Sequence, residues 1–361
     1  MKIPVIFSAL LFFLNCNPNE AESEKLPSSV KRFSVDGYTV DIYTPPNYSE
    51  SEEYSVMYIN DGQSVFGSGY EKLALNELLD KLITQKAIKP ILAVAIHAGS
   101  DRNSQYIPYM DNWVYSNWGK YSPNADDFSD DIISSIIPFV EKNYKAKSDR
   151  NSRALFGFSL GGLHAIWASI NYQDYFSMAA GSSPSFWVAD YQIYSEVSKV
   201  TKPMKIWFDI GTAEWNWYTP FQETLLQHGF KNGESVFYYE VFGGNHSVLS
   251  WKYKIKYPVL VFAGTQSSKI KKWTIKLEVI TSNSTPGVFY QRLNTLAETE
   301  TGLLYSLASA ATYQLQNPTD GQIKSDGRFE FSSTQDLKVR ITYPDLDTLF
   351  TVSYNEVQNL K

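Results

Sequence analysis

The segment Ser152–Gly162, SRALFGFSLGG, constrains this chain more than any other. Apolar Ala154, Leu155 and Phe156 run into Gly157-Phe158-Ser159-Leu160-Gly161, and Gly162 opens a helix-like stretch that continues to Ala168. Strand, tight turn and helix in this order are the context of a nucleophile elbow. Such an elbow holds its serine in a cramped backbone conformation, and flanking glycines let strand and helix approach without a clashing Cβ. The hydroxyl then stands clear at a helix N-terminus, where unpaired amides can meet a developing oxyanion. The bland alternative is a glycine-rich turn whose serine only caps the helix.

The flanking sequence supplies the sheet that an elbow needs. Val30–Tyr43 alternates and reads as one or two strands about Asp36-Gly37. Tyr54–Ile59, Ile91–Ile96, Ser177–Ala180, Lys205–Ile210 and Ser235–Val241 are short apolar runs of the buried-strand type. Helical periodicity lies between them, over Leu73–Ile83, Ala125–Tyr144, Thr219–His228 and Trp251–Ala263, with Pro138 and Pro258 as local objections. Strands alternating with helices predict a mainly parallel sheet covered on both faces. After Gly264 the pattern turns β-like, over Trp273–Ile280, Leu303–Leu315, Arg328–Phe331, Leu337–Tyr343 and Leu349–Tyr354. These short strands, separated by Gly and Pro turns, predict a small antiparallel, sandwich-like unit. The expected division is a leader over residues 1–26, an α/β domain over 27–264 and a β-rich accessory domain over 273–361. A length of 361 residues suits that plan.

Charge and cysteine content limit the partners. The net charge is −6 with no basic block, which leaves no electrostatic footprint for nucleic acid. The single cysteine is Cys16. It follows a short basic start, Met1-Lys2, and an apolar run, Ile3–Leu14, too short to span a bilayer as a mature helix. This resembles a lipoprotein signal peptide with Cys16 as the lipidated residue, although Asn15 stands where the strict motif has Gly, Ala or Ser. The expectation is an exported protein anchored to a membrane, periplasmic or at the cell surface, through lipid on Cys16. Simple secretion is the alternative.

A serine hydroxyl needs a base, and the base needs an orienting acid. In an elbow architecture these follow the serine in the order acid, histidine. Of the four histidines, His97 precedes the serine. His164 falls within the elbow helix and reads as packing, and His228 lies in an amphipathic helix. His246 remains, in the glycine-rich loop Phe242-Gly243-Gly244-Asn245-His246-Ser247. Two acids qualify, Asp209 within the strand KIWFDI and Glu214 past the Gly211-Thr212 turn, where a side chain can bend toward the histidine loop. Glu214 is favoured. A tetrahedral intermediate needs at least two donors, one of them the amide of Leu160 directly after the serine. The Asp61-Gly62-Gln63 loop either supplies a second amide from Gln63 or is an ordinary turn.

Several motifs together resemble the esterase D-like family of α/β-hydrolases. They are Tyr43-Thr44-Pro45-Pro46-Asn47-Tyr48, Tyr58-Ile59-Asn60-Asp61-Gly62-Gln63-Ser64-Val65-Phe66, Ile136-Ile137-Pro138-Phe139-Val140-Glu141, Gly157–Gly162, Gly211-Thr212-Ala213-Glu214 and Gly244-Asn245-His246 with Ser250-Trp251. The family includes feruloyl and acetylxylan esterases, enterobactin-type esterases, S-formylglutathione hydrolases and mycolyltransferases. The resemblance covers about Val30–Ala263 and implies an α/β-hydrolase fold, Glu214 as acid and Gln63 as oxyanion donor. It implies a serine esterase without metal or cofactor, acting on acylated polysaccharide or siderophore-type esters. The alternatives are an acyltransferase with the same residues, or a surface-binding lipoprotein on an inactive scaffold. Arg102-Asn103-Ser104-Gln105-Tyr106 departs from the family, many members having Glu in place of Gln105. Trp215-Asn216-Trp217 beside the acid reads as a wall for a planar or sugar-like ligand, or as a lid over the core.

Overall fold

The computed structural model describes residues 27–214, 218–265, 269–281 and 289–360. Eight strands form the main sheet: β1 (Ser29–Val35), β2 (Tyr38–Thr44), β3 (Ser55–Ile59), β4 (Ile91–Ile96), β5 (Arg153–Phe158), β6 (Met178–Ser182), β7 (Lys205–Gly211) and β8 (Val236–Val241). Their order is β1-β2-β4-β3-β5-β6-β7-β8. From β4 to β8 every neighbour is parallel, and β1 and β2 add antiparallel at one edge. The β1–β2 turn puts Asp36 at φ 47° and Gly37 at φ 83°. Two consecutive left-handed residues make the tight hairpin that an Asp-Gly pair favours. This is the mainly parallel α/β fold that the sequence predicts.

Central strands read as continuous apolar runs because both faces are covered. Every residue of β4 and β5 is buried. In β3, Val56 and Tyr58 enter one core while Met57 and Ile59 enter the other, as strand alternation requires. Helices α1 (Leu75–Thr84), α2 (Arg102–Tyr106), α3 (Asn112–Asn117), α4 (Ala125–Asp131), α5 (Ile137–Asn143), α6 (Leu160–Asn171), α7 (Ile193–Glu196), α8 (Thr219–Gln227), α9 (Val248–Lys254) and α10 (Lys256–Ala263) complete the layers. Side chains of α4, α5, α6 and α8 fill the first core, and those of α1 and α10 fill the second. Among the described residues no helix is long and apolar enough to cross a membrane.

Two helices differ from expectation. The single helix expected over Ala125–Tyr144 is interrupted by a π turn, Ile132–Ile136, immediately before Pro138 in the first turn of α5. Proline has no amide to donate and its ring crowds the preceding turn, so a wider turn ahead of it relieves both problems. The helix expected over Trp251–Ala263 starts earlier, at Val248, where Ser247 Oγ accepts from the Ser250 amide at 3.2 Å. It divides at Ile255, so that Pro258 falls in the first turn of α10, the place where a missing amide costs nothing.

The C-terminal region forms two antiparallel sheets. Strands β9 (Ile270–Thr281), β10 (Phe289–Thr299), β11 (Leu304–Ser306), β13 (Gly321–Ile323) and β14 (Arg328–Phe331) make one, in the order β11-β10-β14-β13 with β9 also on β10. Strands β12 (Thr312–Leu315), β15 (Leu337–Tyr343) and β16 (Leu346–Val352) make the other, and a short helix, α11 (Tyr354–Leu360), ends the described chain. The run Leu303–Leu315 is therefore two strands in different sheets, joined by a 3₁₀ turn at Ala308–Ala310. Leu293, Tyr305, Leu307, Phe329 and Leu337 share one core with α1 and α10. Polar bonds join the regions as well: Gln222 Nε2 to the Leu307 carbonyl at 3.2 Å, and Tyr343 OH to the Asn232 carbonyl at 3.0 Å.

Candidate active site

Ser159 links β5 to α6 with φ 55° and ψ −124°, a conformation non-glycine residues hold only when their surroundings impose it. The surroundings are tight. A Cβ on Gly157 would collide with the Gly161 carbonyl, and one on Gly161 would reach Asp61 Oδ2 at 2.8 Å. The Ser159 carbonyl accepts from the amides of Gly162, Leu163 and Ser185 at 3.0–3.1 Å, and its own amide donates to Ser182 O at 3.1 Å. The backbone is thus fixed on both sides of the side chain, which projects into an open cleft.

Two loops at the ends of β7 and β8 bring the other groups to it. They are in backbone contact: a Cβ on Gly211 would strike the Gly244 carbonyl, and that carbonyl accepts from the Ala213 amide at 3.0 Å. His246 Nε2 lies 3.0 Å from Ser159 Oγ, and His246 Nδ1 lies 2.7 Å from Glu214 Oε2. Glu214 Oε1 accepts from the Gly211 amide at 2.8 Å and from Ser183 Oγ at 2.7 Å. Burial alone would push the Glu214 carboxyl up, but the hydrogen bond from His246 and the charge of Lys254 bring it below its ordinary value. The acid is shielded, with 5% of its side chain exposed, whereas 47% of His246 is open to the cleft. The Trp251 ring stands edge-on to the imidazole at 5.1 Å.

Asp209, the other acid weighed from sequence, is fully buried within β7. It pairs with Lys254 Nζ and accepts from Ser182 Oγ at 2.8 Å and from the Ser183 amide at 3.3 Å. None of its described bonds reaches His246. The remaining histidines are engaged elsewhere, His97 with Asp41 at 2.9 Å and His228 with the Thr224 carbonyl at 2.8 Å. His164 is buried between Asn60 Nδ2 at 3.0 Å and Ser129 Oγ at 3.1 Å.

Leu160 is the first residue of α6, so its amide has no acceptor within the helix. Gln63 sits in the 3₁₀ turn Gly62–Ser64 after β3, where a Cβ on Gly62 would meet the Ala95 backbone at 2.6 Å. That loop is locked to the elbow by Asn60 Nδ2, which donates to the Gly161 carbonyl at 2.8 Å. Arg102 holds Asp61 with two bonds of 2.6 and 2.8 Å, and Tyr106 OH accepts from the Asp61 amide at 2.9 Å. Gln105, the departure from the family pattern, accepts from the Gly99 amide at 2.7 Å, and its buried Nε2 has no protein partner.

The cleft beside Ser159 measures about 860 Å³ and includes Glu214 and His246 in its wall. Neither Gln63 nor Leu160 lines it. Trp113, Trp118 and Trp187 form its aromatic side, each ring edge-to-face with the other two at 5.4–5.6 Å. Asp111 ties this wall together, accepting from the Val114 amide at 2.9 Å and the Ala189 amide at 2.7 Å. Nothing in the sequence singled out these tryptophans, because their convergence joins α3 to a loop some seventy residues later. Trp215-Asn216-Trp217 and Cys16 lie outside the described residues. Among the described residues no three His, Cys, Asp or Glu side chains gather as a set able to hold a metal ion.

Known proteins resemble this chain in sequence or in fold. YbbA, an uncharacterized protein of Bacillus subtilis, is 25% identical over 189 residues, which cover 52% of this chain and 72% of YbbA. An endo-1,4-β-xylanase/feruloyl esterase of Xylanibacter ruminicola is 26% identical over 133 residues, covering 35% of this chain and 16% of that protein. The crystal structure of the enterobactin esterase of Shigella flexneri, determined in the presence of enterobactin, aligns with a TM-score of 0.51 at 17% identity. That alignment covers 65% of this chain and 58% of the esterase, so the chain spans less than two thirds of that protein's length. The family described as "Putative esterase" matches residues 36–260, more than half of the sequence, and the chain belongs to it.

Proposed function

We propose that this chain is an exported serine carboxylic-ester hydrolase that works through an acyl-enzyme. The observation that carries the proposal is the unbroken series Ser159 Oγ, His246 and Glu214 Oε2, with links of 3.0 and 2.7 Å, starting on a strained elbow. In this reading Ser159 attacks the ester carbonyl while His246 Nε2 takes its proton. Glu214 holds the imidazole in the required tautomer and stabilises the imidazolium. The amides of Leu160 and Gln63 receive the oxyanion. His246 then protonates the departing alcohol, and a water activated by the same imidazole hydrolyses the acyl-enzyme. Transfer to an acceptor alcohol uses the same geometry and differs only in what enters at that last step.

The wall of the cleft supports a substrate class. Three indole rings beside the nucleophile suit a flat sugar or aromatic ring, which supports esters of acylated polysaccharide or of siderophore type. The feruloyl and enterobactin esterases among the similar proteins point the same way. Export, and anchoring through lipid on Cys16, rest on the leader sequence.

Hydrolysis of p-nitrophenyl acetate and butyrate tests the chemistry. Ser159→Ala and His246→Ala should each lower kcat by about a thousandfold or more, and Glu214→Ala by less. An inert wild-type protein whose Ser159 is not labelled by a fluorophosphonate would overturn the proposal.

A further inference from the structure

We infer that Ser183 is a positioning residue through which the buried Lys254–Asp209 pair holds Glu214 in place. The inference rests on the hydrolase reading of Ser159, His246 and Glu214. Ser183 follows β6 with φ 45°, which turns its side chain toward the end of β7. Its hydroxyl oxygen accepts from two donors, Trp251 Nε1 at 3.1 Å and Lys254 Nζ at 3.2 Å. A hydroxyl has two lone pairs and one hydrogen. With both lone pairs occupied, the hydrogen is left for Glu214 Oε1, at 2.7 Å. The direction of the bond is therefore fixed from behind.

Lys254 is also why that direction carries weight. Its side chain is 2% exposed and its ammonium pairs with Asp209, whose carboxylate is itself held by Ser182 Oγ. A buried charge without partners is costly, and this one is held between Asp209 and Ser183. The ammonium thus stands behind Ser183, polarising its O–H toward the carboxylate that orients His246. The result is a line of five side chains: Asp209, Lys254, Ser183, Glu214 and His246. Other charged or titratable groups near its active end are Tyr218 at the start of α8, and Asp111 and Asp190 across the cleft.

Losing the Ser183 donor makes Glu214 a stronger acceptor for His246, which favours the imidazolium, and it also frees the acid to move. Ser183→Ala should lower kcat/KM by about tenfold, the size of one hydrogen bond to a charged group, and shift the acidic limb of the kcat/KM profile to higher pH. Ser183→Gly keeps the left-handed backbone at no steric cost and should behave alike if alanine disturbs folding. The pair Lys254→Met with Asp209→Asn removes both buried charges together and should move the same limb in the same direction. Combined with Ser183→Ala, its effect should fall short of the sum of the two losses, since the hydrogen-bonded part of the coupling runs through one hydroxyl. An unmoved limb in the Ser183 variants, or fully additive losses in the combination, overturns the inference. Fluorophosphonate labelling of Ser159 in the wild type separates that outcome from failure of the hydrolase reading, which would leave Ser159 unlabelled.

Discussion

His164 shows how a residue with the chemistry for catalysis is taken out of use by its surroundings. Asn60 Nδ2 donates both to the Gly161 carbonyl and to His164 Nδ1, so Nε2 carries the ring hydrogen and donates to Ser129 Oγ. Burial holds the imidazole neutral and pulls its pKa down to about 3. An unfolded chain would bind that proton near pH 6.5. Between those values the unfolded state holds more protons, so stability falls as pH drops below about 6.5, by on the order of 3 kcal/mol at pH 4. Gln keeps a donor and an acceptor without a charge, and His164→Gln should flatten this decline. Thermal unfolding of both proteins between pH 7 and 4 checks it, and parallel curves would refute it. At this scale the sequence was legible where chemistry is local: the elbow motif marks Ser159, chain order narrows the candidate base to His246, and the two side chains lie 3.0 Å apart. Ser183 and Lys254 had no local signal, because each matters only through partners on other elements.

Elements were legible where one environment governs a whole segment. Continuous apolar runs marked β3, β4 and β5, and apolar spacing marked α1 and α8. β10 was missed because polar residues are buried among its apolar ones: Arg292 and Asn294 are fully or nearly fully buried, and their partners come from other strands. No period within QRLNT can announce that. The short α3 and its neighbouring loop escaped notice for a related reason, since their importance lies in the wall that Trp113, Trp118 and Trp187 build together. If that wall seats the ring of a substrate, Trp113→Ala and Trp187→Ala should each raise KM for feruloyl or catechol-type esters by about tenfold, the scale of one lost aromatic contact. The loss should be smaller for p-nitrophenyl acetate, whose acyl group has no ring. Equal losses on both substrates would assign the tryptophans to scaffolding instead.

For the whole molecule, the seam between β8 and the C-terminal sheets decides whether the accessory region is an appendage or part of the enzyme's body. β8 ends the main sheet, and its Glu240 forms an ion pair with Arg292 of β10 in full burial. The Glu240 amide donates to Ser306 Oγ at 3.1 Å, and Tyr238 OH donates to the Glu240 carboxylate at 2.9 Å. A second buried carboxyl, Glu278 on β9, accepts from Asn294 Nδ2 at 3.1 Å. Burial drives Glu278 up to about 7 against the pull of Arg292, and the nearby charge of Glu240 adds to the rise. The folded protein therefore keeps a proton on Glu278 that the unfolded chain releases near its ordinary value of 4.5. Across that window the folded state binds more protons, so stability declines as pH rises from about 4.5 to 7, by about 3 kcal/mol in all. Glu278→Gln fixes the side chain in its uncharged form and should leave stability near pH 4 unchanged while raising it at pH 8. The seam shares its core with α1 and α10, so this gain should appear in the main unfolding transition rather than in a separate one. Calorimetry at pH 4, 6 and 8 reads both quantities. A variant curve that runs parallel to wild type would remove Glu278 from the balance, and a second transition carrying the whole shift would make the β region an independent unit.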